Sequence, residues 1–499
     1  MISIDCLAKA LKGKLYLKED KILSSLEFDS REVKKDSAFF TFNGIHTNGN
    51  NYIEDAIQNG AALIVTNTLP QTIHDDVSYF VSDENIRELY ALSSSLFFNN
   101  VQSKLKIIGV TGTDGKTTTT DFLYQLLNSF GHKTAMISTV YIDDGSGKKY
   151  STTRQSTPEA FFLHSFLYQA DSNNCEYVVM ETTSHALSNE YCRVKGISFT
   201  SSIYTTVSSE HLEFHKSLEN YYDAKANLAR NTLYNVVIYN DSPILDKINS
   251  IAKHKVVELT KPEITDERID STSFYVDGIN YSIPLFGSYN VYNAFEAAIL
   301  VSRLLKLPKE VVLSKLNNLA TPKGRFNTYS YKNKFVIIDF AHTPDSFEKL
   351  FSSFRKVFPN KEITAVFGSA GDRDKSKRKG LGKVASTYAS NIILTEEDPR
   401  SENVLDISLD IIEGIPEERR KKIHIYTEDQ REEAIKLALT ISAPDGVIFL
   451  LGKGHERSIS YKKNTRNYLE EDALLNILKE NVWQFSYFMV AYQANMKYQ

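Results

Sequence analysis

The segment GVTGTDGKTT, residues 109–118, decides the fold class, because it joins an apolar run at 105–110 to an amphipathic stretch at 117–130. A glycine-rich turn between a buried strand and a helix points its backbone N–H groups at a phosphate. In such loops a lysine meets the β- and γ-phosphate oxygens, and a threonine hydroxyl holds Mg²⁺. The spacing departs from the common pattern GxxxxGK[ST], since Val110 stands five residues before Gly115. The segment therefore predicts a phosphate loop, and a glycine turn that serves packing alone is the alternative.

Short apolar runs alternate with amphipathic stretches along most of the chain. The runs are rich in Val, Ile and Phe without strict alternation, as expected for strands buried on both faces of a parallel sheet. They cover residues 105–110, 134–140, 177–180, 236–239, 335–338, 363–367, 391–394 and 447–451. Helix patterns lie between them, and Thr157-Pro158-Glu159 predicts a helix start capped by the threonine. The alternation predicts an α/β protein with a central P-loop-type parallel sheet, a Rossmann-like C-terminal domain and a smaller α/β N-terminal domain.

The composition is that of a globular protein. Of the 499 residues, 42% are hydrophobic and 24% charged, and at roughly 150 residues per domain the length suggests about three domains. The net charge of −4 provides no basic field for nucleic acid. The three cysteines are too few for a disulfide framework and fit a reducing compartment. No apolar run is long enough to span a membrane and no secretory signal is evident, so we expect a cytoplasmic protein that binds neither membrane nor nucleic acid.

Two breaks in the pattern predict the domain boundaries. The polar stretch NNVQS, residues 99–103, precedes the first strong apolar run, and ATPKGRFN, residues 320–327, separates a helix pattern from the next strand. The predicted domains are residues 1–103, 104–325 and 326–480. Residues 481–499 form a tail, for which the sequence leaves a packed element and a loose end equally open.

Carboxylate, histidine and lysine side chains follow the phosphate loop. Glu181 comes directly after the run at 177–180, at the strand end where ligands bind in doubly wound sheets, and its hard oxygen suits Mg²⁺. The segment SEHLEFH, residues 209–215, and then Lys225 come after it. Taken singly, each of these side chains also fits a surface or core role, and Lys225 also fits a solvated helix lysine.

The loop GTxGKTT and the order of these elements resemble the Mur ligase family, the ATP-dependent amide-bond formers of peptidoglycan synthesis. The resemblance implies that Glu181 and His211 hold a second Mg²⁺ and that Lys225 is carbamoylated to N6-carboxylysine. The implied ATP contacts of the loop are Gly112, Thr113, Asp114, Gly115, Lys116, Thr117 and Thr118, of which Thr117 also binds Mg²⁺. Where the family usually has TNxxxDHLD, this chain has TTVSSEHLE, residues 205–213, so the contact made by the family's asparagine is in doubt.

Three later segments resemble the parts of the family that contact ATP. GSYNVYN, residues 287–293, implies ATP contacts for Asn290 and Asn293, and GRF, residues 324–326, implies one for Arg325. DFAHTPD, residues 339–345, resembles the element that brings the C-terminal domain to ATP, with a fold-stabilising turn as the alternative. The implied catalytic residues are Lys116, Glu181, His211, Lys225, Asp339 and His342.

Segments near the end of the chain resemble the MurE branch of the family, which adds the third residue of the stem peptide. They are GDRDKSKR at 371–378, EDPRSE at 397–402 and GKGHE at 452–456. The implied amino-acid contacts are Arg378, Asp398, Arg400, Gly452 and Glu456. In that branch DNPR marks enzymes for meso-diaminopimelate, whose distal carboxylate meets the arginine fork. Here Asp398 replaces the asparagine and adds negative charge, so lysine and ornithine remain beside diaminopimelate, with a slight preference for an amino acid without a distal carboxylate.

The first domain resembles the uridine-binding domain of the same branch, on FDSREV at 28–33 and FFTFNG at 39–44. Asp-Ser-Arg alone also fits a simple turn. The residues that the resemblance assigns to the UDP substrate are Ser30, Arg31, Ser156, Thr157, Ser184 and Arg193. Among these, Arg193 is placed least securely, because the stretch after His185 is longer than usual in the family.

The resemblance runs from Asp29 to Glu456 and implies one reaction. ATP phosphorylates the D-Glu γ-carboxylate of UDP-N-acetylmuramoyl-L-alanyl-D-glutamate, and the amine of a free diamino acid attacks the acyl phosphate. ATP and Mg²⁺ are the implied cofactors, and a monomer is expected on the resemblance. The alternatives are a folylpolyglutamate synthase-like ligase, which lacks the uridine-binding domain, and a non-catalytic nucleotide-binding protein, which needs neither Glu181 and Lys225 nor Arg400.

Overall fold

The computed structural model describes residues 2–44, 47–153, 155–208 and 212–479. The chain divides into two compact units. The first comprises the residues up to 263 together with Tyr289–Leu319, and the second comprises Ile264–Ser288 together with the described residues from 320 onward. The first unit contains two sheets, and the segment 264–288 groups with the second unit. The boundaries at 103, 325 and 480 therefore stay a prediction, and the tail at 481–499 lies outside the described residues.

The N-terminal part of the first unit is a five-stranded sheet of order β1-β5-β4-β3-β2. Its strands are β1 (Lys14–Tyr16), β2 (Leu26–Glu27), β3 (Ser37–Phe40), β4 (Ala61–Thr66) and β5 (Ser78–Val81), with helices α1 (Ile4–Lys9), α2 (Ile53–Gln58) and α3 (Ile86–Phe97). Only β1 is antiparallel to its neighbour. Every residue of β3 and β4 is buried, as expected for inner strands of a mainly parallel sheet that is covered on both faces.

The central part of the first unit is an eight-stranded sheet of order β13-β12-β11-β6-β10-β7-β8-β9. Its strands are β6 (Lys106–Thr111), β7 (Thr134–Ile137), β8 (Tyr141–Asp143), β9 (Lys149–Tyr150), β10 (Tyr177–Glu181), β11 (Phe199–Tyr204), β12 (Thr232–Tyr239) and β13 (Lys255–Leu259). The strands from β13 to β7 pair in parallel, and β8 and β9 extend the edge as an antiparallel hairpin. The predicted central parallel sheet is confirmed.

The helices of this central part flank its parallel strands. They are α4 (Lys116–Ser129), α5 (Ala160–Ser172), α6 (Ser184–Leu187), α7 (Leu212–His215), α8 (Leu218–Arg230), α9 (Leu245–Ile251), α10 (Ser288–Leu305) and α11 (Lys309–Leu313). The predicted start of α5 at Thr157 is wrong, because Glu159 occupies the N-cap position. The Thr157 hydroxyl instead donates to the backbone oxygen of Glu181 at 2.9 Å. A tertiary hydrogen bond has taken the place of the local cap.

The second unit holds a six-stranded sheet and two small ones. Its strands are β14 (Glu263–Glu267), β15 (Thr272–Val276), β16 (Ile279–Ile283), β17 (Asn327–Tyr331), β18 (Lys334–Asp339), β19 (Ile363–Phe367), β20 (Asn391–Leu394), β21 (His424–Thr427), β22 (Val447–Leu451), β23 (Ser458–Ser460) and β24 (Thr465–Asn467). Its helices are α12 (Pro344–Val357), α13 (Ser376–Tyr388), α14 (Val404–Glu413), α15 (Glu417–Arg420) and α16 (Arg431–Ile441). The main sheet has the order β17-β18-β22-β19-β20-β21 and is parallel except for β17. Strands alternating with helices confirm the predicted α/β class, and none of the helices in the described ranges has the length and apolar character that a membrane crossing requires.

Candidate active site

The phosphate loop leaves the middle of the central sheet. β6 lies between β10 and β11, and the three strands are parallel. Glu181 at the end of β10 pairs with Val110, and Tyr204 at the end of β11 pairs with Thr111. The carboxyl ends of three neighbouring strands therefore meet at one edge, which is where open α/β sheets bind ligands.

Two glycines of the loop are required by its backbone and by its neighbours. Gly112 has a φ of +151° and Gly115 a φ of +89°, angles that residues with a Cβ rarely adopt. A Cβ on Gly112 would lie 1.8 Å from Oγ1 of Thr205, and a Cβ on Gly115 would lie 2.5 Å from Oδ1 of Asn293. Asn293 belongs to α10, so the predicted ATP contact of this helix packs directly against the loop. Asn290, one turn earlier on α10, is also buried.

The segment after β11 holds the loop by hydrogen bonds. The backbone N–H of Thr113 donates to the carbonyl oxygen of Thr206 at 2.7 Å, and the N–H of Ser208 donates to the Thr113 hydroxyl at 2.9 Å. The Thr205 hydroxyl lies 2.6 Å from the carbonyl oxygen of Asp114. Thr206 stands where the family has asparagine, and it supports the loop through its backbone, which any residue can do.

The Glu181 carboxylate is buried and surrounded by donors. It accepts from the Thr117 hydroxyl at 3.0 Å and from the backbone N–H of Thr139 at 2.9 Å, and the Thr139 hydroxyl lies within 3.0 Å of both its oxygens. One carboxylate and one threonine hydroxyl beside a phosphate loop fit Mg²⁺, which binds through few protein ligands and completes its shell with phosphates and water. Within the described ranges no cluster of three His, Cys, Asp or Glu side chains forms a complete metal site. The predicted ligand His211 lies outside the described residues.

Lys225 lies beneath the loop on α8. Its side chain is 1% exposed, and its Nζ donates to the carbonyl oxygen of Gly112 at 2.6 Å. The same Nζ stands 4.5 Å from the ring centroid of Tyr221. The alternative of a solvated helix lysine is therefore wrong, because the amine is buried within reach of the loop.

A cavity of about 380 Å³ opens beside the loop and gathers residues predicted for ATP and for the UDP substrate, together with Lys225. The predicted residues on its wall are Gly112, Lys116, Ser156, Thr157, Ser184, Arg193 and Lys225. Lys116 Nζ donates to the carbonyl oxygen of Thr113 at 2.7 Å, so the lysine lies folded across its own loop. Gln155, Thr183, His185, Tyr191 and Tyr221 complete the wall and were missed by the sequence analysis. Each of these belongs to, or directly adjoins, a segment that the analysis had singled out.

The polar side chains of this cavity are oriented by neighbours. The Arg193 guanidinium donates to Oε1 of Glu159 at 2.8 Å and to the carbonyl oxygen of Thr157 at 3.1 Å. The Ser184 hydroxyl lies 3.0 Å from Nε2 of His215. The longer stretch after His185 thus still brings Arg193 to the cavity, because the N-cap residue of α5 anchors it.

Glu296 is a buried acid that the sequence analysis missed. It lies on α10, and its Oε1 accepts from the Thr119 hydroxyl of α4 at 3.0 Å. Complete burial holds the pKa of Glu296 well above its usual range. The pair joins the helix that follows the phosphate loop to the helix that carries Asn293. Its position three residues after Asn293, on one helix face, was the signal available in the sequence.

Of the residues predicted in the N-terminal sheet, neither Ser30 nor Arg31 lines this cavity. Ser30 is buried, and its carbonyl oxygen accepts from the Asn59 amide. Arg31 is exposed and forms a two-pronged ion pair with Asp29. These contacts show the turn that Asp-Ser-Arg also fitted, and the substrate contacts of both residues remain predictions.

Asp339, His342 and Arg325 lie together in the second unit. The Asp339 carboxylate accepts from the backbone N–H groups of Phe326 and Ala341, and burial raises its pKa. The Arg325 guanidinium lies 4.9 Å from the Phe340 ring centroid, and His342 Nδ1 is 2.8 Å from the carbonyl oxygen of Phe340. The turn after β18 therefore has a structural role, and the catalytic roles of these residues remain predictions.

Asp398 and Glu456 share a lysine that the sequence analysis did not single out. Nζ of the fully buried Lys453 donates to Oδ1 of Asp398 at 3.0 Å and to Oε2 of Glu456 at 2.7 Å. Burial raises the pKa of Glu456. Gly452 has a φ of +95°, and a Cβ there would lie 2.7 Å from Oε2 of Glu397. The predicted negative charge of Asp398 is thus partly balanced inside the protein, and two carboxylates still face one ammonium.

Arg400 and Arg378 differ sharply in exposure. Arg400 lines a second cavity, of about 500 Å³, together with Glu396, Glu402, Tyr461 and Arg466 among others. Arg378 is not on its wall and is fully buried. Its guanidinium pairs with both oxygens of Glu402 at 2.9 Å and with Asp410 at 2.8 Å. The structure brings Arg400 to an open cavity and places Arg378 in ion pairs between α13 and α14, and the amino-acid contacts of both residues remain predictions.

Comparisons with known proteins agree with this architecture. The model of the Mur ligase middle domain matches residues 110–301, and that of the Mur ligase glutamate ligase domain matches residues 324–454. UDP-N-acetylmuramyl-tripeptide synthetase of Borreliella burgdorferi is 37% identical over 489 residues, which cover 95% of each chain. UDP-N-acetylmuramoyl-L-alanyl-D-glutamate–2,6-diaminopimelate ligase of Clostridium tetani is 33% identical, over 92% of this chain and 95% of the relative.

A solved structure of a UDP-N-acetylmuramoyl-L-alanyl-D-glutamate–2,6-diaminopimelate ligase shares the fold. It has a TM-score of 0.62 and 23% identity, and the match covers 92% of this chain and 96% of that one. The family models and the two relatives together identify an ATP-dependent ligase that forms amide bonds. This chain belongs to the Mur ligase family.

Proposed function

We propose that this ligase adds the third amino acid, a diamino acid, to UDP-N-acetylmuramoyl-L-alanyl-D-glutamate during peptidoglycan biosynthesis. The observation that carries the proposal is the 380 Å³ cavity, whose wall joins phosphate-loop residues to Ser156, Thr157, Ser184 and Arg193. These last four residues match the positions that hold the muramoyl peptide in the MurE branch. The names of the two relatives, which align over nearly the whole chain, agree with this substrate.

The reaction has two steps. A γ-carboxylate oxygen of the D-Glu residue attacks the γ-phosphorus of ATP, the bond to the β-phosphate oxygen breaks, and ADP leaves. The nitrogen of the incoming amine then attacks the acyl carbon, the C–O bond to phosphate breaks, and the amine loses a proton as inorganic phosphate leaves. Positioning and neutralisation of charge supply most of the catalysis in phosphoryl transfer.

The residues of the loop edge divide these tasks. Lys116 neutralises the phosphates, and the backbone of residues 112–115 cradles them, with Thr118 at the first turn of α4. Glu181, Thr117 and His211 would hold Mg²⁺, which neutralises the charge that develops on the transferred phosphoryl group. Asn290 and Asn293 contact ATP. In the second unit, Arg325 is a further predicted ATP contact, and Asp339 and His342 are predicted catalytic residues.

Lys225 carries the family's carbamate in this proposal. The Lys225 ammonium loses one proton, and the free amine adds to CO₂ and releases a second proton, so that a buried cation becomes an anion beside the loop. Burial of the Nζ within reach of the Gly112 carbonyl oxygen supports this role. Mass spectrometry of protein trapped in labelled bicarbonate tests it, because the added carbon must be found on Lys225.

The incoming amino acid binds Arg400, Asp398, Gly452 and Glu456 in the second unit. Two carboxylates facing one buried ammonium leave negative charge near this cluster, which favours a distal ammonium on the substrate. We therefore propose lysine or ornithine ahead of diaminopimelate. Competition among the three at equal concentration decides, and a strong preference for diaminopimelate contradicts the proposal.

Release of ADP and phosphate in the presence of each substrate tests the whole function. We expect release only when the UDP-dipeptide and an amino acid are both present, with the protein acting as a cytoplasmic monomer. Release that depends on a folate and glutamate would favour the folylpolyglutamate synthase-like alternative. Nucleotide binding without any turnover would favour a non-catalytic protein.

A further inference from the structure

Arg87, at the start of α3, is held between two aromatic rings. Its guanidinium carbon lies 4.3 Å from the ring centroid of Phe42 and 4.7 Å from that of Tyr191. Phe42 in turn stacks on Phe28 at 4.9 Å. Phe42 belongs to the segment after β3 and Tyr191 to the segment after α6, so the arginine bridges the two sheets of the first unit.

The bridge is built by further contacts. Asn85 caps α3 by accepting from the N–H of Arg87, and its side-chain amide donates to the carbonyl oxygen of Asn189 at 2.9 Å. Asn189 and Tyr191 belong to the stretch that is longer than usual in the family. The start of α3 therefore fixes this stretch, and Tyr191 with it, against the first sheet.

Both rings lie against the Arg87 guanidinium. Within the described residues, no hydrogen bond or ion pair occupies the N–H groups of the Arg87 side chain. Arg31 differs, because Asp29 takes two of its N–H groups. A planar guanidinium fixed by stacking presents N–H groups that match two oxygens of a phosphate. Arg87 is thus preorganised for an anion, whereas Arg31 already has one.

Arg87 also stands between the two ends of the proposed substrate. Contacts run from Phe28, two residues before Ser30, through Phe42 and Arg87 to Tyr191, whose ring centroid lies 5.2 Å from the Arg193 guanidinium carbon. Ser30 is predicted to lie near the uracil or the pyrophosphate, and Arg193 near the peptide. The diphosphate of a UDP-sugar lies between its uridine and its peptide-bearing sugar.

We infer that Arg87 binds the diphosphate of the UDP substrate, with the rings of Phe42 and Tyr191 as positioning residues. The inference rests on the proposed function for the identity of the substrate. A net loss equivalent to about one charge-assisted hydrogen bond on replacement corresponds to roughly a ten- to hundredfold weaker interaction.

The test replaces Arg87 by Met, which keeps the stem and removes the charge, and by Lys, which keeps the charge without the planar fork. We expect the KM for UDP-N-acetylmuramoyl-L-alanyl-D-glutamate to rise roughly ten- to hundredfold in Arg87→Met and less in Arg87→Lys. The KM for ATP should stay within about twofold, since ATP binds the phosphate loop. Arg230→Met, at an exposed arginine of α8, is the matched control.

Calorimetry with UDP and with uridine separates the diphosphate from the base. Wild-type protein should bind UDP more tightly than uridine, and Arg87→Met should lose that difference while its thermal midpoint stays near that of the wild type. An unchanged difference between UDP and uridine overturns the inference. An equal loss of affinity for ATP and for the UDP substrate also overturns it, because Arg87 would then only join the two sheets.

Calorimetry together with turnover assays distinguishes a failure of this inference from a failure of the proposed function. Wild-type protein that binds UDP through Arg87 yet makes no amide product contradicts the function alone. Normal turnover with an unchanged KM in Arg87→Met contradicts the inference alone.

Discussion

Polar side chains line a cavity at the edge of the central sheet, whereas in the charged cluster of the second unit they pair with one another. At the sheet edge, Gly112 of the loop, hydroxyl-bearing side chains and two lysines line a cavity of about 380 Å³. In the second unit, these charged side chains form ion pairs with one another. Arg378 pairs with Glu402 and Asp410. Lys453 pairs with both Asp398 and Glu456. Backbone geometry arranges the first region, and tertiary ion pairs arrange the second.

This difference shows which sequence patterns locate a site. A glycine in a phosphate loop is required by its φ angle and by the atoms around it, so its role is nearly independent of distant residues. The role of an arginine depends on which acid lies near it after folding. Arg378 and Arg400 both matched positions of the MurE branch, and only Arg400 reaches a cavity.

The largest effect should come from the loop lysine. Lys116→Ala removes the positive charge that faces the phosphates, and we expect ATP-dependent phosphate release to fall on the order of a thousandfold. Lys104→Ala, an exposed lysine paired with Asp171, is the control and should keep full activity. Full turnover by Lys116→Ala would refute the phosphate-loop role and with it the contrast between the two regions.

Gly112→Ala tests whether the backbone arranges the sheet edge. The new Cβ would meet Thr205 Oγ1 at 1.8 Å in a backbone conformation that favours glycine, and strain of about 1–3 kcal/mol predicts a ten- to hundredfold lower kcat/KM for ATP. Gly147→Ala is the matched control, because Gly147 also has a positive φ but no atom within 4 Å of its Cβ position. Equal effects of the two substitutions would mean that the close approach to Thr205 is unimportant.

Arg378→Met tests whether ion pairs stabilise the charged cluster of the second unit. It leaves the carboxylates of Glu402 and Asp410 without their buried partner, and we expect a loss of roughly 2–3 kcal/mol in the free energy of unfolding. The KM for the amino acid should change little, whereas Arg400→Met should raise that KM and leave stability nearly intact. Denaturant titration and steady-state kinetics measure both quantities. The opposite pattern would return Arg378 to the amino-acid site.

His164 is a buried polar group for which we expect the smallest effect. Burial lowers its pKa from 6.5 to about 4, and among the described residues neither ring nitrogen has a hydrogen-bond partner. Between pH 6.5 and 4 the His164 imidazole is protonated in the unfolded chain but stays neutral in the folded chain. The free energy of unfolding therefore falls as the pH drops from about 6.5 towards 4. The expected loss is roughly 2 kcal/mol at pH 5.

Replacing His164 by Leu should remove this part of the acid dependence of unfolding. The exposed His254→Leu is the control and should keep the wild-type slope. If both variants keep the wild-type dependence of unfolding free energy on pH, His164 is not its source. The ion pairs of the second unit would then be tested next.

Much of the fold could be predicted because buried parallel strands have a plain signature. The apolar runs at 105–110, 363–367 and 447–451 correspond to β6, β19 and β22. The start of α5 could not be predicted locally, since the Thr157 hydroxyl bonds to the carbonyl oxygen of Glu181 and leaves the cap to Glu159. The preference of threonine for the N-cap position was overridden by this hydrogen bond between residues 24 positions apart.

In the site, too, local sequence patterns could be predicted and tertiary contacts could not. The phosphate loop, Glu181 and Lys225 could be found from the sequence, but the burial of Lys225 and the bond from its Nζ to Gly112 could not. Lys453 and Glu296 were missed because a buried charge or acid has no local pattern of its own. Their partners, Asp398 and Thr119, lie far away along the chain.

By itself, the sequence determined the α/β class, the family and the phosphate loop, because strand burial and the backbone angles of glycine are local properties. Only the tertiary structure decided which charged groups remain available to ligands. Pairing depends on which side chains approach within a few ångströms after folding. It separates Arg87 and Arg400 from Arg31 and Arg378, whose guanidinium groups are bound to carboxylates.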